Sequence, residues 1–366
     1  MKLKVNRQEM ADALSALTTI ASSRSPKEVL KCVRVEAQPD VLLMSATDLE
    51  VGFRSALTQV EVDQTGESLV VADTLSRIVR ECTDEVLVLE QDDRLLHVRG
   101  EGSHFQIVTQ DPQDFPPVPV MEDDPDMNVE QEQLHRMVEL TAFAAAREST
   151  RYAINGVLWE REGDKLTMAA TDGRRLAVIT GPVEGKDGSA KAIVPVKALT
   201  LLARLPIVPE TRTGVKFLGN QVLLNMGRAM LSTSLVEGQF PSYRDVIPGD
   251  CDRRAKINRT DMLSALRRAA LLTNEESKGV RFSFTEGTLT LTSRAPEQGE
   301  AEVVMPVEYH DEPLEIGFNP AFLIDVLRVA DEDELIFELK EPNRPGVIRM
   351  GKDYVYVVMP VNLGSA

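Results

Sequence analysis

The sequence predicts an α+β fold in which one domain of about 120 residues occurs three times. Three ten-residue segments carry the repeat, because they align without gaps and each ends in arginine, at 71–80, 195–204 and 319–328. Each segment lies 124 residues after the previous one. Within each copy, helical and alternating strand patterns follow in the same order. A period of this length indicates a whole domain, since solenoid repeats run at about 20 to 50 residues.

The repeat also sets the expected domain boundaries. LLMSATD ending at Asp48 aligns with LTMAATD ending at Asp172, and each copy closes on a similar proline-containing segment. The third copy begins slightly later than the period requires, which small insertions explain. We therefore expect three domains, at 1–125, 126–251 and 252–366.

Each copy opens with a predicted strand and a helix. The strands are LKV at 3–5, MNV at 127–129 and AKI at 255–257, and the segments after them carry apolar residues at three-to-four spacing. Asn6 and Asn258 occupy the positions of helix N-caps. Alternating segments then predict antiparallel strands, the repeated ten-residue segment predicts a second helix, and a strand pair closes the copy. This order predicts helices gathered on one face of the sheets.

The composition is that of an ordinary soluble globular protein, with 43% hydrophobic and 27% charged residues. No apolar run approaches the length of about 20 residues that a membrane span needs, and polar residues after Val5 argue against a secretion signal. Cys32, Cys82 and Cys251 are odd in number and far apart. We therefore expect a cytoplasmic protein with reduced, buried thiols.

The second helix of each copy predicts a binding surface. Its apolar residues face the sheet, and its closing arginine, Arg80, Arg204 or Arg328, comes one position later and points outward. A solvated helix face is the ordinary explanation for any single arginine. However, arginine occupies this aligned position in all three copies, and we call these three residues the arginine column. Each segment is also neutral or positive in a chain of net charge −17. We therefore predict a repeated surface for the phosphates of one polyanion, which the acidic remainder of the chain repels.

The sequence contains few signs of catalysis or metal binding. The four histidines have no metal-ligand spacing, and neither HExxH nor paired CxxC occurs. GPVEGKDG at 181–188 is too short between its glycines for a phosphate loop and has Asp187 where magnesium binding needs serine or threonine, so a turn is the better interpretation. Asp48 and Asp172 follow strand-type stretches, where aspartate usually bonds nearby backbone, and the third copy has Ser293 there. We expect no enzyme, no metal and no cofactor.

Five ordered motifs resemble one known family, the bacterial DNA polymerase III beta subunits, which are replicative sliding clamps. The resemblance rests on TDGRRLA at 171–177, EGQFPSYRDVIP at 237–248, KGVR at 278–281, IGFN at 316–319 and YVVMPV at 356–361. It runs nearly from end to end of the chain. It implies three tandem copies of a DNA-clamp domain, with helices lining the inside and antiparallel sheets outside, in a head-to-tail dimeric ring around duplex DNA.

The helix pattern and the resemblance together indicate which residues contact DNA, peptides and the second subunit. Arg24 comes from the resemblance, and the full DNA-facing set is Arg24, Arg77, Arg80, Arg147, Lys197, Arg204, Arg267, Arg268 and Arg328. The family's peptide pocket between domains two and three implies Arg151, Ile154, Thr171, Gly173, Arg174, Arg175, Leu176, Pro241, Val246, Val357, Met359, Pro360 and Val361. The dimer junction implied by the family uses Phe105, Leu271 and Leu272. On residue type alone, Leu176, Val246 and Val357 are better explained as core residues, because burial is the default for apolar strand residues, and only the resemblance assigns them to the pocket.

The resemblance implies a specific set of partners. They are duplex DNA held without sequence recognition, a second copy of the chain, the clamp loader, the replicative DNA polymerase, repair and translesion polymerases and mismatch-repair proteins, with no membrane. Asp245 makes the pocket rim more acidic than is usual in the family, and Val196 replaces a commonly basic residue. The residues alone leave two alternatives. One is a scaffold that binds only proteins without encircling DNA, and the other is a nucleic-acid enzyme, which would need a metal or base cluster.

Overall fold

Helices and strands follow one another in the predicted order within the part of the chain that the computed structural model describes, residues 1–147, 153–273, 279–296 and 298–362. The prediction of a closing strand pair is wrong, because three strands close each copy, and in the second and third copies the last strand pairs with a strand of the preceding copy. Two α-helices fall in each predicted copy within these ranges. They are α1 Arg7–Ile20, α2 Ala72–Glu81, α3 Gln131–Thr141, α4 Val196–Leu202, α5 Arg259–Ala269 and α6 Pro320–Val329. The helix pair predicted for each copy is therefore confirmed.

The strands are numbered in chain order. The first copy contains β1 Lys2–Asn6, β2 Cys32–Gln38, β3 Val41–Thr47, β4 Val51–Leu57, β5 Val60–Gln64, β6 Gly66–Val71, β7 Val86–Asp92, β8 Leu95–Gly100 and β9 Ser103–Val108. The second contains β10 Met127–Glu130, β11 Gly156–Glu162, β12 Lys165–Thr171, β13 Arg175–Pro182, β14 Glu184–Gly185, β15 Ser189–Pro195, β16 Arg212–Leu218, β17 Gln221–Asn225 and β18 Ala229–Ser234. The third contains β19 Arg253–Asn258, β20 Val280–Thr285, β21 Thr288–Ala295, β22 Gly299–Pro306, β23 Leu314–Phe318, β24 Glu334–Leu339, β25 Gly346–Met350 and β26 Tyr354–Val358.

The first helices begin where the sequence places their caps. The side chain of Asn6 accepts a hydrogen bond of 3.0 Å from the backbone N–H of Glu9, and that of Asn258 accepts one of 3.0 Å from Asp261. The apolar stripe of α1 is buried and consists of Met10, Ala13, Leu14, Leu17 and Ile20. Local caps and a buried stripe thus account for these helices.

The second helices bury one face, and the aligned arginine is exposed within α2 and α6 but lies two residues beyond the end of α4, which stops at Leu202. The aligned leucines are buried, namely Leu75, Leu199 and Leu323. The closing arginines are exposed, namely Arg80, Arg204 and Arg328. The predicted outward orientation of this column is therefore confirmed.

The chain forms two compact units, of which the first comprises Met1–His135, Val183–Gly188 and Lys197–Leu235. It contains a five-stranded sheet in the order β5-β1-β7-β8-β9 and a nine-stranded sheet in the order β14-β10-β16-β17-β18-β4-β3-β2-β6. The larger sheet passes from the first copy to the second through the antiparallel pair β4 and β18. Helix α1 packs against α2 and covers β3 and β4.

The second unit comprises Arg136–Pro182, Ser189–Val196 and Val236–Ala366. Its eight-stranded sheet has the order β15-β11-β12-β13-β26-β25-β24-β19, and a four-stranded sheet has the order β22-β21-β20-β23. The larger sheet joins the second and third copies through the antiparallel pair β13 and β26. Sheet continuation removes an open strand edge at this junction, as it does at the junction of β4 and β18.

The two compact units correspond to the continuous sheets and not to the three copies of the sequence repeat. Because β4 pairs with β18 and β13 pairs with β26, the strands of the middle copy are divided between the two units. The three boundaries expected from the repeat therefore remain a prediction. The segment 181–188 holds the end of β13 and the two-residue β14, so its interpretation as a connection between strands is confirmed.

The three cysteines form no disulfide, and two of them are buried as expected. Burial raises the pKa of the Cys32 thiol to about 11. Cys251 is only half-buried, so the expectation of burial is wrong there, because this residue lies in the irregular segment before β19. None of the helices in the described ranges has the length and apolar character needed to cross a membrane.

Candidate functional site

A groove of about 300 Å³ opens in the second unit. Its walls are formed by Ile154, Thr171, Gly173, Arg174, Arg175, Leu176, Pro241, Ser242, Tyr243, Val246, Val357 and Met359. Ten of the thirteen residues assigned to the peptide pocket therefore meet in one groove. Arg151 lies outside the described residues, and Pro360 and Val361 are not among the lining residues.

The register between β13 and β26 determines which side chains form the floor of the groove. Leu176 on β13 pairs directly with Val357 on β26, and both side chains are buried. Val246 and Met359 stand at the rim and are 53% and 42% exposed. The core explanation therefore fits the floor residues but not the rim, because core residues do not keep half of their surface in water. Exposed apolar side chains around a concave apolar floor are typical of a binding site.

The turn between β12 and β13 forms one end of the groove. Asp172 fixes this turn, since its Oδ1 accepts hydrogen bonds of 2.9 Å and 3.1 Å from the backbone N–H groups of Arg174 and Arg175. The hydroxyl of Thr171 accepts a further bond of 3.0 Å from Gly173. Gly173 has φ 85°, a left-handed conformation that glycine adopts without strain. The predicted structural role of Asp172 is confirmed.

The first copy contains the same turn between β3 and β4. Asp48 Oδ1 accepts hydrogen bonds of 3.0 Å and 2.8 Å from the backbone N–H groups of Glu50 and Val51. Leu49 takes the glycine position with φ 80°, so this turn carries backbone strain that its counterpart lacks. The second carboxylate oxygen of Asp48 forms an ion pair with Lys197. The repeat therefore preserves the turn but changes the partner of its aspartate.

Arg175 lines the groove as predicted, but its guanidinium is already engaged. Nε donates a hydrogen bond of 3.1 Å to Asp172, and the two terminal nitrogens donate bonds of 2.7 Å to Asp325 and to the carbonyl oxygen of Phe143. The rings of Phe143 and Phe322 lie 5.5 Å and 4.7 Å from its guanidinium carbon. Its side chain is 10% exposed. Arg174, in contrast, is exposed and forms no ion pair within the described ranges.

Tyr243 is a lining residue that the sequence reasoning missed. It begins a short 3-10 turn, Tyr243–Val246, and its hydroxyl donates a hydrogen bond of 3.0 Å to Glu160. Arg244 also donates to Glu160, at 2.6 Å, and its guanidinium lies over the Tyr243 ring. The signal was present in the sequence, because Tyr243 stands between two assigned residues, Pro241 and Val246, within one motif.

We expect Tyr243 to make the folding stability depend on alkaline pH. Burial, followed by the hydrogen bond to Glu160, raises the pKa of this phenol from 10.0 to about 12. Because the folded state favours the protonated phenol, the contribution is complete below pH 10 and is lost as pH rises towards 12. Thermal melts between these values should show a steeper decline for the wild type than for Tyr243→Phe. Parallel declines would contradict the assignment.

All nine residues assigned to the DNA-facing surface are exposed. Two of them already have acidic partners: Arg77 pairs with Asp73 at 3.0 Å, and Lys197 pairs with Asp48. The other seven form no ion pair within the described ranges, and they are Arg24, Arg80, Arg147, Arg204, Arg267, Arg268 and Arg328. These seven guanidinium groups are therefore available to phosphates without first losing a partner carboxylate.

We expect Asp48→Asn to strengthen non-specific DNA binding by a few fold at low salt, because it releases Lys197. The amide oxygen of asparagine can still accept the two backbone hydrogen bonds of the turn, so the fold should persist. The dependence of log K on log salt should become steeper by about 0.9, the value for one additional phosphate contact. Filter binding across a salt series measures both quantities.

Asp250→Asn is the matched control for this experiment, since it also removes a carboxylate that pairs with a lysine, Lys340. Neither residue of this pair belongs to the assigned DNA surface. Equal effects of the two substitutions would show that net charge alone acts, and the assignment of Lys197 would be wrong.

The residues assigned to the dimer junction lie at strand edges and a short turn. Phe105 is on β9, an edge strand of the five-stranded sheet, and is 36% exposed. Leu271 is 76% exposed in the 3-10 turn Ala270–Leu272, beside the half-buried Leu272. In the four-stranded sheet, β22 is likewise an edge strand, and its Val304 is exposed. Exposed apolar residues on open strand edges favour association with another chain.

A nucleic-acid enzyme would need a cluster of metal ligands or catalytic bases. Among residues 1–147, 153–273, 279–296 and 298–362, no three histidine, cysteine or carboxylate side chains come together as a metal site. The conspicuous histidine contact is a pair, His97 and His104, whose ring nitrogens lie 2.9 Å apart. The apolar groove, the exposed arginines and the apolar residues at open strand edges are the features of the described chain that suggest binding.

The repeated α+β domain, with sheets continued across the copies, has the architecture of a DNA clamp. Family models of the DNA polymerase III beta subunit match the chain in order, with the N-terminal domain at 1–119, the central domain at 128–242 and the C-terminal domain at 244–362. The chain belongs to the DNA polymerase III beta subunit family. It therefore has the function of a DNA sliding clamp.

Relatives of known identity match over nearly the whole chain. The beta sliding clamp of Chlamydia muridarum is 30% identical over 99% of each chain. That of Pseudomonas putida is 32% identical over 99% of this chain and 100% of its own. A crystal structure of the Pseudomonas aeruginosa sliding clamp bound to griselimycin has a TM-score of 0.92 at 30% identity, covering 99% of this chain and 100% of that one. The predicted fold class and family are confirmed.

Proposed function

We propose that two copies of this chain close head to tail into a ring around duplex DNA, and that the groove tethers replication and repair proteins to it. The observation that carries the proposal is the exposed arginine at the same aligned position of each copy, within α2 and α6 and two residues after α4. A surface repeated in this way matches a duplex, whose phosphates also recur at regular intervals. Helices would line the opening of the ring, and the sheets would lie outside.

Weak phosphate contacts suit a protein that must hold DNA without stopping on it. Ring closure would supply retention by topology, and non-specific contacts carry no sequence information that would arrest movement. The net charge of −17 supports this arrangement, since acidic surfaces away from the arginines repel DNA. The proposed contact residues are the nine exposed cations described above.

The open strand edges support ring closure. A head-to-tail contact joins two different surfaces, and it closes into a ring when the rotation between subunits is right. β9 in the first copy and β22 in the third would supply these surfaces, with Phe105, Leu271 and Leu272 as apolar contacts. The pairing of β4 with β18 and of β13 with β26 shows that this fold already continues its sheets between copies.

The groove would take short linear peptides with apolar side chains. Leu176 and Val357 form a floor for such a side chain, while Val246 and the flexible Met359 offer a rim that can adapt to different partners. The relative from Pseudomonas aeruginosa binds griselimycin, which shows that a clamp of this fold accepts a ligand. The exposed Asp245 beside Val246 would favour peptides without acidic residues there.

We assign the groove partners from the family. They are the clamp loader, the replicative DNA polymerase, repair and translesion polymerases and mismatch-repair proteins. Tethering by a groove and encirclement by a ring require no catalytic chemistry, so we propose that the chain acts in the cytoplasm as a non-enzymatic replication protein without a cofactor. Family membership favours this function over the scaffold and nucleic-acid enzyme alternatives.

One experiment tests encirclement directly. The protein is loaded onto nicked circular DNA with a clamp loader, the circle is cut once, and the bound fraction is followed by gel filtration. We expect the protein to leave within the time of linear diffusion, and to stay when both new ends are blocked by bulky proteins. Retention on the linear DNA with free ends would contradict the ring.

A further inference from the structure

Unlike Arg174, Arg175 has all three of its guanidinium nitrogens engaged within the protein, and its side chain is only 10% exposed. Its three guanidinium nitrogens bond Asp172, Asp325 and the carbonyl of Phe143, and two aromatic rings enclose it. A bidentate or tridentate arginine of this kind fixes the geometry of its partners, because the planar fork permits few other arrangements. A peptide carboxylate would have to displace these partners before it could bind the charge.

The internal repeat shows the same turn without this arginine. Val51 stands 124 residues before Arg175 and takes its place after the turn between β3 and β4. A cavity of about 210 Å³ lies there, lined by Thr19, Ile20, Val51, Lys197, Thr200, Leu201 and Arg204.

Two of these lining residues correspond to the partners of Arg175. Thr19 stands 124 residues before Phe143, and Leu201 stands 124 residues before Asp325. The first copy thus leaves open the space that the guanidinium fills in the second copy.

We infer that Arg175 is a positioning residue, which holds the turn at 171–175 against helix α6 and thereby keeps the groove in its binding shape. The inference rests on the proposed peptide function of the groove. Asp325 lies on α6 one turn before Arg328, so the groove and a proposed DNA contact share one support. Phe143 similarly lies four residues before Arg147 in the chain. A ligand in the groove gains affinity from this support because the site needs no ordering on binding.

The test uses the full-length protein and griselimycin, measured by calorimetry at a temperature well below the melting transition. Arg175→Met and Arg175→Lys should both weaken binding by about tenfold or more, since lysine keeps the charge but lacks the planar fork that spans these three acceptors. Asp325→Asn should also weaken binding, although Asp325 does not line the groove. Full affinity in Arg175→Lys with loss in Arg175→Met would show that the charge itself contacts the ligand, and would overturn the inference.

A matched control separates positioning from general stability. Tyr354→Phe removes the buried hydrogen bond of 3.1 Å from Tyr354 to the carbonyl of Leu140, which lies in the same unit. We expect it to lower the melting temperature without changing griselimycin affinity. If Tyr354→Phe weakened binding as much as Arg175→Lys, the effect of Arg175 would be one of stability alone, and the inference would fail.

Hydrogen exchange on the free protein gives a second readout that needs no ligand. Arg175→Met should speed amide exchange at Gly173, Arg174 and the first turn of α6, whereas Arg174→Met should not, because Arg174 forms no ion pair among the described residues. Unchanged exchange in Arg175→Met would overturn the inference. Wild-type protein that binds no griselimycin would count against the proposed groove function, while exchange would still decide the role of Arg175.

Discussion

Replacing Leu176 and Met359 together with alanine is expected to abolish binding of a peptide that copies the tail of the replicative polymerase, while the dimer persists. Leu176 is a floor residue and Met359 is a rim residue of the same groove. The double variant therefore removes one apolar contact from the floor and one from the rim. At about 2 kcal/mol for each anchor, affinity should fall by about a hundredfold or more. Fluorescence anisotropy with a labelled peptide measures this loss.

The buried Leu176 also contributes to folding, so a stability control is needed. Leu158 belongs to the same apolar cluster and is equally buried, but it does not line the groove. Leu158→Ala should cost about 2 to 5 kcal/mol of folding stability and retain peptide affinity. Sedimentation should show the dimer for both variants, because the assigned junction residues are untouched. Tight peptide binding by the double variant would rule the groove out.

Replacing Arg80, Arg204 and Arg328 together with glutamine is expected to shorten residence on primed circular DNA by about tenfold or more. Each arginine is exposed at the same aligned position of the repeat and forms no ion pair in the described chain, so each is free to contact a phosphate. Loss of three contacts should make the dependence of log K on log salt shallower by up to about 3. Single-molecule dwell times across a salt series measure both effects.

A second triple variant separates these positions from net charge. Arg94, Arg228 and Arg344 are exposed in turns between strands, at β7–β8, β17–β18 and β24–β25. Their replacement by glutamine changes the net charge equally, and none of the three belongs to the assigned DNA surface or lies in a helix. We expect nearly normal residence for this control and an intact dimer for both variants. Unchanged residence in the variant that lacks Arg80, Arg204 and Arg328 would count against the arginine column as a DNA surface.

Local features of the sequence predicted the elements well because each depends on neighbouring residues. Asn6 caps α1 through a residue three positions away, and Asp172 fixes its turn through backbone two and three positions away. The outward direction of Arg80 follows from its place one residue after Val79, which is buried. Such short-range geometry repeats wherever the same residue types recur at the same spacing.

Long-range contacts could not be predicted in the same way. Lys197 and Asp48 are 149 residues apart in the chain, and Arg175 and Asp325 are 150 apart. No local pattern indicates that either pair meets, although the pairing decides whether a cation is available to a ligand. Val246 and Val357 are also the same residue type in matching motifs, yet one is exposed and the other buried. Val357 is buried where the register of β13 with β26 sets it opposite Leu176, whereas Val246 lies in the 3-10 turn Tyr243–Val246, outside the sheet.

The sequence by itself determined the triplicate α+β architecture, the order of its helices and strands, the arginine column and membership of the clamp family, because these reside in periodicity and ordered motifs. The tertiary structure alone decided the division into two compact units, the groove, and the choice of which arginines are free and which are engaged. The physical reason is that strand pairing and ion pairing join residues far apart in the chain, and their geometry exists only after the sheets have formed.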